Sequence, residues 1–147
     1  MDNDIEKSID TAIKKWLSQN EKINEIAQTI HSEELPDNIN ELALQRIGVE
    51  KLPLKYITDT GWYKQYQYAL LLKNSSEDDK QRLTNLDWLD DLSDWIDAQN
   101  KNKNYPILKN KKVKEVSCAN AITFETNEEG SISTYYLQLY FNIRGGI

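Results

Sequence analysis

The sequence contains little of what most catalytic and metal sites require. It has one cysteine, Cys118, and one histidine, His31, which excludes an internal disulfide and a site built from several histidines. Its five glycines are scattered, and none precedes a Lys-Ser or Lys-Thr pair, so the sequence has no glycine-rich phosphate loop. No nucleophile with a nearby base can be assembled. The sequence therefore predicts a protein that is not an enzyme, with no catalytic residue, no cofactor and no metal.

Long apolar runs and an excess of positive charge are also missing. No stretch is long and apolar enough to cross a bilayer, and residues 1–4 are acidic and lack the apolar region of a signal peptide. We therefore expect no membrane partner. The formal net charge of −6 disfavours a protein that grips DNA, because DNA binding depends on lysine and arginine side chains that neutralise phosphates.

The length and the composition fit a single globular domain over residues 1–147. The chain is 39% hydrophobic and 29% charged, which is typical of a folded protein with a well-charged surface. Residues 1–40 show apolar side chains at helical spacing and are predicted to form a helical N-terminal segment. His31 lies at the end of its second helical pattern and is interpreted as a surface or helix-end residue. Cys118 is interpreted as a small buried hydrophobic side chain.

Residues 41–147 predict a sheet with one helix and a C-terminal hairpin. Residues 41–47 and 62–73 alternate in the manner of strands, with an irregular connection over 49–60. A central amphipathic helix is predicted at about 76–100. Its expected core stripe is Leu83, Leu86, Leu89, Leu92 and Ile96.

The C-terminal part predicts two strands, 113–126 and 131–144, joined by a turn at 127–130. In the first strand the alternation places Val116, Cys118, Asn120, Ile122 and Phe124 on one face. Residues 145–147 are expected to be a short flexible end. The order helix, strand, strand, helix, strand, strand predicts an α+β protein. Its sheet is mostly antiparallel, with the N-terminal helix and the central helix packed on it.

The central helix carries a group of carboxylates. The residues are Asp87, Asp90, Asp91, Asp94 and Asp97, and the first four are spaced so that they share one helix face. Such a face is most often solvated. It also fits a divalent-metal site, acid-base chemistry or a surface for a basic partner. Metal sites usually draw ligands from more than one element, so we do not predict one here.

Two further groups of side chains are candidates for an interface. The loop after the central helix is basic, with Lys109, Lys111 and Lys112 at its centre and Lys101, Lys103 and Lys114 around them. These lysines suit a solvated loop, a phosphate contact, or a head-to-tail contact with the acidic helix of a neighbouring copy. Tyr136 and Tyr140 lie on the strand face opposite the predicted core, where they suit either a subunit interface or half-buried packing.

The chain resembles a family of phage structural proteins. The resemblance is carried by the run Leu42-Ala-Leu-Gln-Arg-Ile-Gly, the aromatic strand 62–73, the acidic helix and the closing strand 135–144. In the order of their secondary-structure elements and in local sequence, residues 41–147 look like the tail-terminator or minor capsid proteins of long-tailed phages and prophages of Gram-positive bacteria. The resemblance transfers no catalytic residue.

The resemblance implies a structural role within a virion. Such proteins form hexameric rings that cap the tail tube, stop its polymerisation and join it to the head. The implied partners are further copies of the chain, a tail-tube protein and a head-completion protein, with DNA only as passing cargo. The implied location is the head–tail junction of a virion that is assembled in the bacterial cytoplasm.

An alternative from another class of protein also fits the sequence. A small acidic inhibitor or immunity-type protein would bind a basic partner through the 87–97 face, with fast association driven by charge. The two hypotheses differ in self-association. A ring protein oligomerises, whereas an inhibitor is monomeric and binds its partner one to one.

Overall fold

The computed structural model describes residues 8–26, 30–32, 35, 41–53, 61–76 and 78–146. The elements in chain order are α1 (Ile9–Leu17), α2 (Glu21–Ile26), β1 (Ile30–Ser32), β2 (Glu41–Lys51), β3 (Trp62–Ser75), α3 (Asp79–Lys101), β4 (Ile107–Leu108), β5 (Lys111–Thr126) and β6 (Ile132–Gly145). The described strands form one sheet in the order β1-β2-β3-β6-β5-β4. Only β1 runs parallel to its neighbour, and every other pair is antiparallel. The predicted α+β class with a mostly antiparallel sheet is confirmed.

The core lies between the helices and one face of the sheet. The side chains that β6 turns toward the helices are Leu137, Leu139, Phe141 and Ile143, and all four are fully buried. The strand face predicted for the core is therefore correct. Trp16 of α1 joins the layers, because its ring lies 5.1 Å from that of Trp95 and 5.6 Å from that of Phe141, between ring centroids. Its indole nitrogen donates a hydrogen bond to the carbonyl of Asn104 at 2.7 Å.

The N-terminal segment is not wholly helical. Residues 30–32 form β1, which pairs in parallel with residues 42–44 of β2. His31 therefore lies in a strand instead of at a helix end, and its Nε2 is 2.8 Å from Oε2 of Glu41. The short strand forms because the backbone edge of β2 offers hydrogen-bond partners, which outweigh the local helical spacing. Residues 33–34 and 36–40 of the predicted helical segment lie outside the described residues.

The long helix has the predicted position but a different phase at its start. It spans Asp79–Lys101, and the side chain of Asp78 caps it by accepting a hydrogen bond from the amide of Gln81 at 2.8 Å. Leu83 was expected in the core, yet its side chain is 62% exposed. The inward position of this turn is occupied by Asn85, which is 2% exposed.

The predicted alternation along β5 is wrong in its second half. Register shifts between Ala119 and Ile122, and between Thr123 and Glu125, interrupt the pairing with β6. Asn120 takes a positive φ of 59° at the first of these shifts. As a result, Cys118 faces the helices, whereas Ile122 pairs with Tyr136 on the opposite face.

Two strand ends also differ from the prediction. β2 continues past a bulge at Gly48 to Lys51, so the first part of the expected irregular connection is a strand. Residues 54–60 of that connection lie outside the described residues. Gly145, expected in a flexible end, is buried and pairs with both Trp62 and Lys111. The predicted turn at 127–130 is confirmed, with Gly130 at a φ of 74°.

Candidate interaction surfaces

The sheet face opposite α1 and α3, here termed the open face, carries polar and aromatic side chains. On β6 these are Thr134, Tyr136, Gln138, Tyr140, Asn142 and Arg144. A row of hydrogen bonds crosses this face. Asn142 accepts a bond from the amide of Gln65 at 3.1 Å and donates one to Glu115 at 2.8 Å. Because these contacts hold the amides in place, the open face is a preorganised surface.

One end of the open face is aromatic. The ring of Phe124 stacks on that of Tyr136 with centroids 5.7 Å apart and planes 25° apart. Phe124 is nevertheless 60% exposed, and the neighbouring Ile122 is 48% exposed. Burial, with a smaller contribution from the nearby Tyr140, raises the pKa of the Tyr136 phenol. Both tyrosines lie on the face predicted for them and are half-buried.

The other end of the open face is basic. A cleft of about 390 Å³, here termed the basic cleft, is lined by Leu108, Asn110, Lys111, Lys112, Lys114 and Arg144. Lys112 and Arg144 are direct partners across the antiparallel pair of β5 and β6. Like charges in that relationship disfavour folding, so the cleft gathers positive charge at some cost in stability. Of the three predicted lysines, Lys111 and Lys112 line the cleft and Lys109 does not.

The outer surface of α3 is acidic. Asp87, Asp90, Asp94 and Asp97 are exposed and follow Leu83 at intervals of three and four residues. They form one straight row on the helix, here termed the acidic stripe. Asp91 does not belong to it, because it lines a groove beside α2 together with Gln19, Asn20, Glu21 and Trp95. The structure therefore keeps three of the four predicted aspartates together and adds Asp97.

The acidic stripe and two cations of the basic cleft, Lys112 and Arg144, lie on opposite sides of the sheet. Lys112 and Arg144 alternate with Val113 and Ile143, whose side chains are buried beneath the helices. The two cations therefore point to the open face. The aspartates lie on the far surface of α3, which covers the other face. The molecule thus presents negative charge on one side and a positive cleft on the other.

Groups with chemical reactivity are not gathered in the described part of the chain. No three His, Cys, Asp or Glu side chains among the described residues are placed to hold a metal ion. No described helix is long and apolar enough to cross a membrane. Burial raises the pKa of the Cys118 thiol, the charges of Asp97 and Asp94 add to this, and a hydrogen bond with Ser93 opposes it. The thiol is therefore kept protonated near neutral pH.

The sequence placed Lys114 in the basic group, but it did not indicate that Arg144 belongs to the basic cleft. Cross-strand partners of β5 and β6 can be deduced from the position of the turn at 127–130 only when the strands contain no bulge. This pairing contains three register shifts. Arg144 therefore could not be matched to Lys112 from the sequence.

Comparison with known proteins found no matching protein family and no matching curated protein.

Proposed function

We propose that the protein is a structural subunit of a long-tailed phage or prophage, a tail terminator or minor capsid protein. It caps the tail tube as a homo-oligomeric ring, a hexamer by the family resemblance, and joins the tube to the head. The observation that carries the proposal is the opposite charge on the two sides of the sheet. Two different but complementary surfaces on one chain favour a head-to-tail contact, and such contacts close into rings when the rotation per subunit allows.

The charge of the chain supports passage of DNA instead of its capture. The net charge is −6, and the exposed row of aspartates on α3 adds a strongly acidic surface. Acidic surfaces repel phosphates, so DNA crosses such a ring without adhering. In this proposal the remaining partners are a tail-tube protein and a head-completion protein. The protein acts at the head–tail junction of the virion.

Mass in solution tests the proposal first. We expect light scattering after size-exclusion chromatography to show a discrete ring, or a shift toward one as the protein concentration rises. Negative-stain electron microscopy of that species should show a closed ring. A monomer at every concentration that also fails to bind purified tail tubes would contradict the proposed function.

The inhibitor hypothesis keeps one specific observation in its favour. The acidic stripe is exposed, and its four carboxylates suit a basic enzyme surface. A strict monomer that binds a basic partner one to one, and loses that partner when Asp94 and Asp97 become asparagine, would favour the inhibitor.

A further inference from the structure

We propose that the acidic stripe of α3 of one copy docks on the open face of the β5–β6 hairpin of the next copy. In this arrangement Asp94 and Asp97 enter the neighbour's basic cleft, and Leu83 meets the neighbour's aromatic end. This inference rests on the proposed function and names the contact that builds the ring. The occupant of the open face is a second copy of this chain.

The direction of α3 along the sheet gives the first support. Near its start, the amide of Asn85 donates to the hydroxyl of Tyr135 at 3.0 Å. Near its end, the side chain of Asn100 accepts from the amide of Val116 at 2.9 Å. The helix therefore runs from the aromatic end of the hairpin toward its basic end. Along this shared direction, α3 carries Leu83 first and the aspartates after it. The open face carries its aromatic end first and the basic cleft after it.

The spacing along the two surfaces also agrees. Leu83 and Asp97 are fourteen residues apart on a helix, which is about 21 Å at 1.5 Å per residue. Tyr136 and Arg144 are eight residues apart on a strand, which is about 26 Å at 3.3 Å per residue. The difference of about 5 Å is within the reach of a lysine side chain. A single rigid orientation of two copies can therefore form the apolar contact and the charged contact at the same time.

The apolar end gives support that does not depend on charge. Leu83 is 62% exposed on α3, and Phe124 is 60% exposed on the open face. Each is a large apolar side chain in water within its own copy, and docking removes both from solvent. The stacked ring of Tyr136 beside Phe124 provides a rigid platform of the kind that is enriched at interfaces.

The acidic stripe and the open face cannot contact each other within one copy, because they lie on opposite sides of the sheet. The sheet separates the acidic stripe from Lys112 and Arg144, so a contact between these groups needs a second molecule. Every copy then uses one surface for the copy before it and the other for the copy after it. Such a front-to-back contact is heterologous, and it gives a ring when the rotation closes.

Charge reversal on each surface tests the contact. The first variant carries Lys112→Glu and Lys114→Glu, and the second carries Asp94→Lys and Asp97→Lys. Each should raise the apparent dissociation constant of self-association by about 100-fold or more, because like charges then face each other. The control carries Lys51→Glu and Lys103→Glu, which changes the charge equally at exposed sites outside the cleft. Its assembly should match that of the wild type.

A swapped chain with all four substitutions gives the decisive readout. Two lysines changed to glutamate alter the charge by −4 and two aspartates changed to lysine alter it by +4, so the net charge stays at −6. The swapped chain should assemble again, and so should an equimolar mixture of the two single-surface variants. Circular dichroism establishes that each variant is folded. A folded swapped chain that remains monomeric would overturn the inference.

The remaining outcomes separate this inference from the proposed function. A wild-type ring that is unaffected by either charge reversal would overturn the docking but leave the ring function standing. A wild type that is monomeric alone and on tail tubes would overturn both. Titration with inorganic phosphate followed by NMR is the last arm. A monomer whose Lys112 and Arg144 signals shift with phosphate would assign the cleft to a small anion and overturn the docking.

Discussion

The phenol of Tyr68 on β3 donates a hydrogen bond to the carboxylate of Asp10 on α1, over 2.5 Å. The same carboxylate oxygen accepts a second bond from Nη2 of Arg46 on β2 at 2.7 Å. The guanidinium carbon of Arg46 lies 5.0 Å from the ring centre of Tyr66. One aspartate of the N-terminal helix thus joins two strands, and this gives α1 a fixed position on the sheet.

Removing the Tyr68 hydroxyl should destabilise the protein. We expect Tyr68→Phe to lower the free energy of unfolding by about 1.5–3 kcal/mol, the range for a hydrogen bond to a charged group. Urea denaturation measures the change. Tyr66→Phe is the matched control, because it keeps an aromatic ring beside Arg46. An equal loss of unfolding free energy in the two variants would show that the hydrogen bond to Asp10 adds no stability of its own.

The same tyrosine predicts how stability depends on pH. Burial first, then the hydrogen bond and the charge of Asp10, raise the pKa of Tyr68 above its ordinary value of 10.0. Below pH 10 the phenol is protonated in both states, so its contribution is complete. As the pH rises above 10, the unfolded state ionises while the folded state resists, and the stability is lost. Thermal melts from pH 8 to 11 should fall less steeply for Tyr68→Phe than for the wild type. Parallel slopes would contradict this assignment.

Regular alternation explains why the central strands were predictable. In β3 and β6 the side chains change face at every residue, and their pairing is unbroken from Trp62 with Gly145 to Ser75 with Ile132. The sequence alone therefore identified the core face of Leu139 and its neighbours. β1 has only three residues, and Ile30 continues the helical spacing that precedes it. No local pattern could reveal that strand, because its partner comes from outside the segment.

The long helix shows a second limit of sequence analysis. Leucine spacing predicted Leu83 in the core, but Asn85 takes the inward position. Its side-chain nitrogen donates to the carbonyl of Ser75 at 2.8 Å and to the hydroxyl of Tyr135 at 3.0 Å. Its oxygen accepts from Asn74 and from Gln81. A buried amide with this many partners is stable in a core, but three of these partners lie outside the helix and all four are polar, so hydropathy could not identify it.

Asn85 should therefore be the most sensitive polar residue of α3. We expect Asn85→Ala to reduce the free energy of unfolding by about 2–4 kcal/mol, since it leaves buried polar groups without the bonds that Asn85 supplies. Chemical denaturation followed by tryptophan fluorescence provides the measurement. The adjacent Thr84 is exposed, so Thr84→Ala should change stability by less than about 0.5 kcal/mol. Similar values for the two alanine variants would refute the role of Asn85.

The candidate surfaces were predictable only where they are local. The acidic stripe follows from helix periodicity, which depends on neighbours within one turn. The basic cleft depends on the register of β5 against β6, and three shifts separate the turn from Lys112. The exposure of Phe124 has the same cause. A left-handed residue such as Asn120 moves the later side chains to the other face, and the hydrophobic pattern carries no trace of it.

The thiol of Cys118 should report on the acidic stripe. Burial raises its pKa, and the charges of Asp97 and Asp94 raise it further. Since the thiolate is the reactive form, Cys118 should react slowly with a disulfide reagent at pH 8. In Asp94→Asn with Asp97→Asn the pKa should fall, so the thiolate fraction and the reaction rate at pH 8 should rise. Asp87→Asn is the control. Unchanged reaction rates in the double variant would show that the aspartates do not act on this thiol.

Strands β3 and β6 end in a close contact between Trp62 and Gly145 that leaves no room for a Cβ atom at residue 145. A Cβ atom added to Gly145 would lie 2.5 Å from Cζ2 and 2.9 Å from Cε2 of Trp62. The indole would have to move, and it also lies 4.5 Å from the ammonium of Lys64. We expect Gly145→Ala to destabilise the protein by about 1–3 kcal/mol, the usual range for overpacking, with an altered tryptophan emission. Gly48→Ala is the matched control on another strand, because its added Cβ meets only the end of Gln67 at 3.4 Å. A Gly145→Ala variant as stable as Gly48→Ala would mean that the indole yields without cost, and the glycine would then have no structural reason to be there.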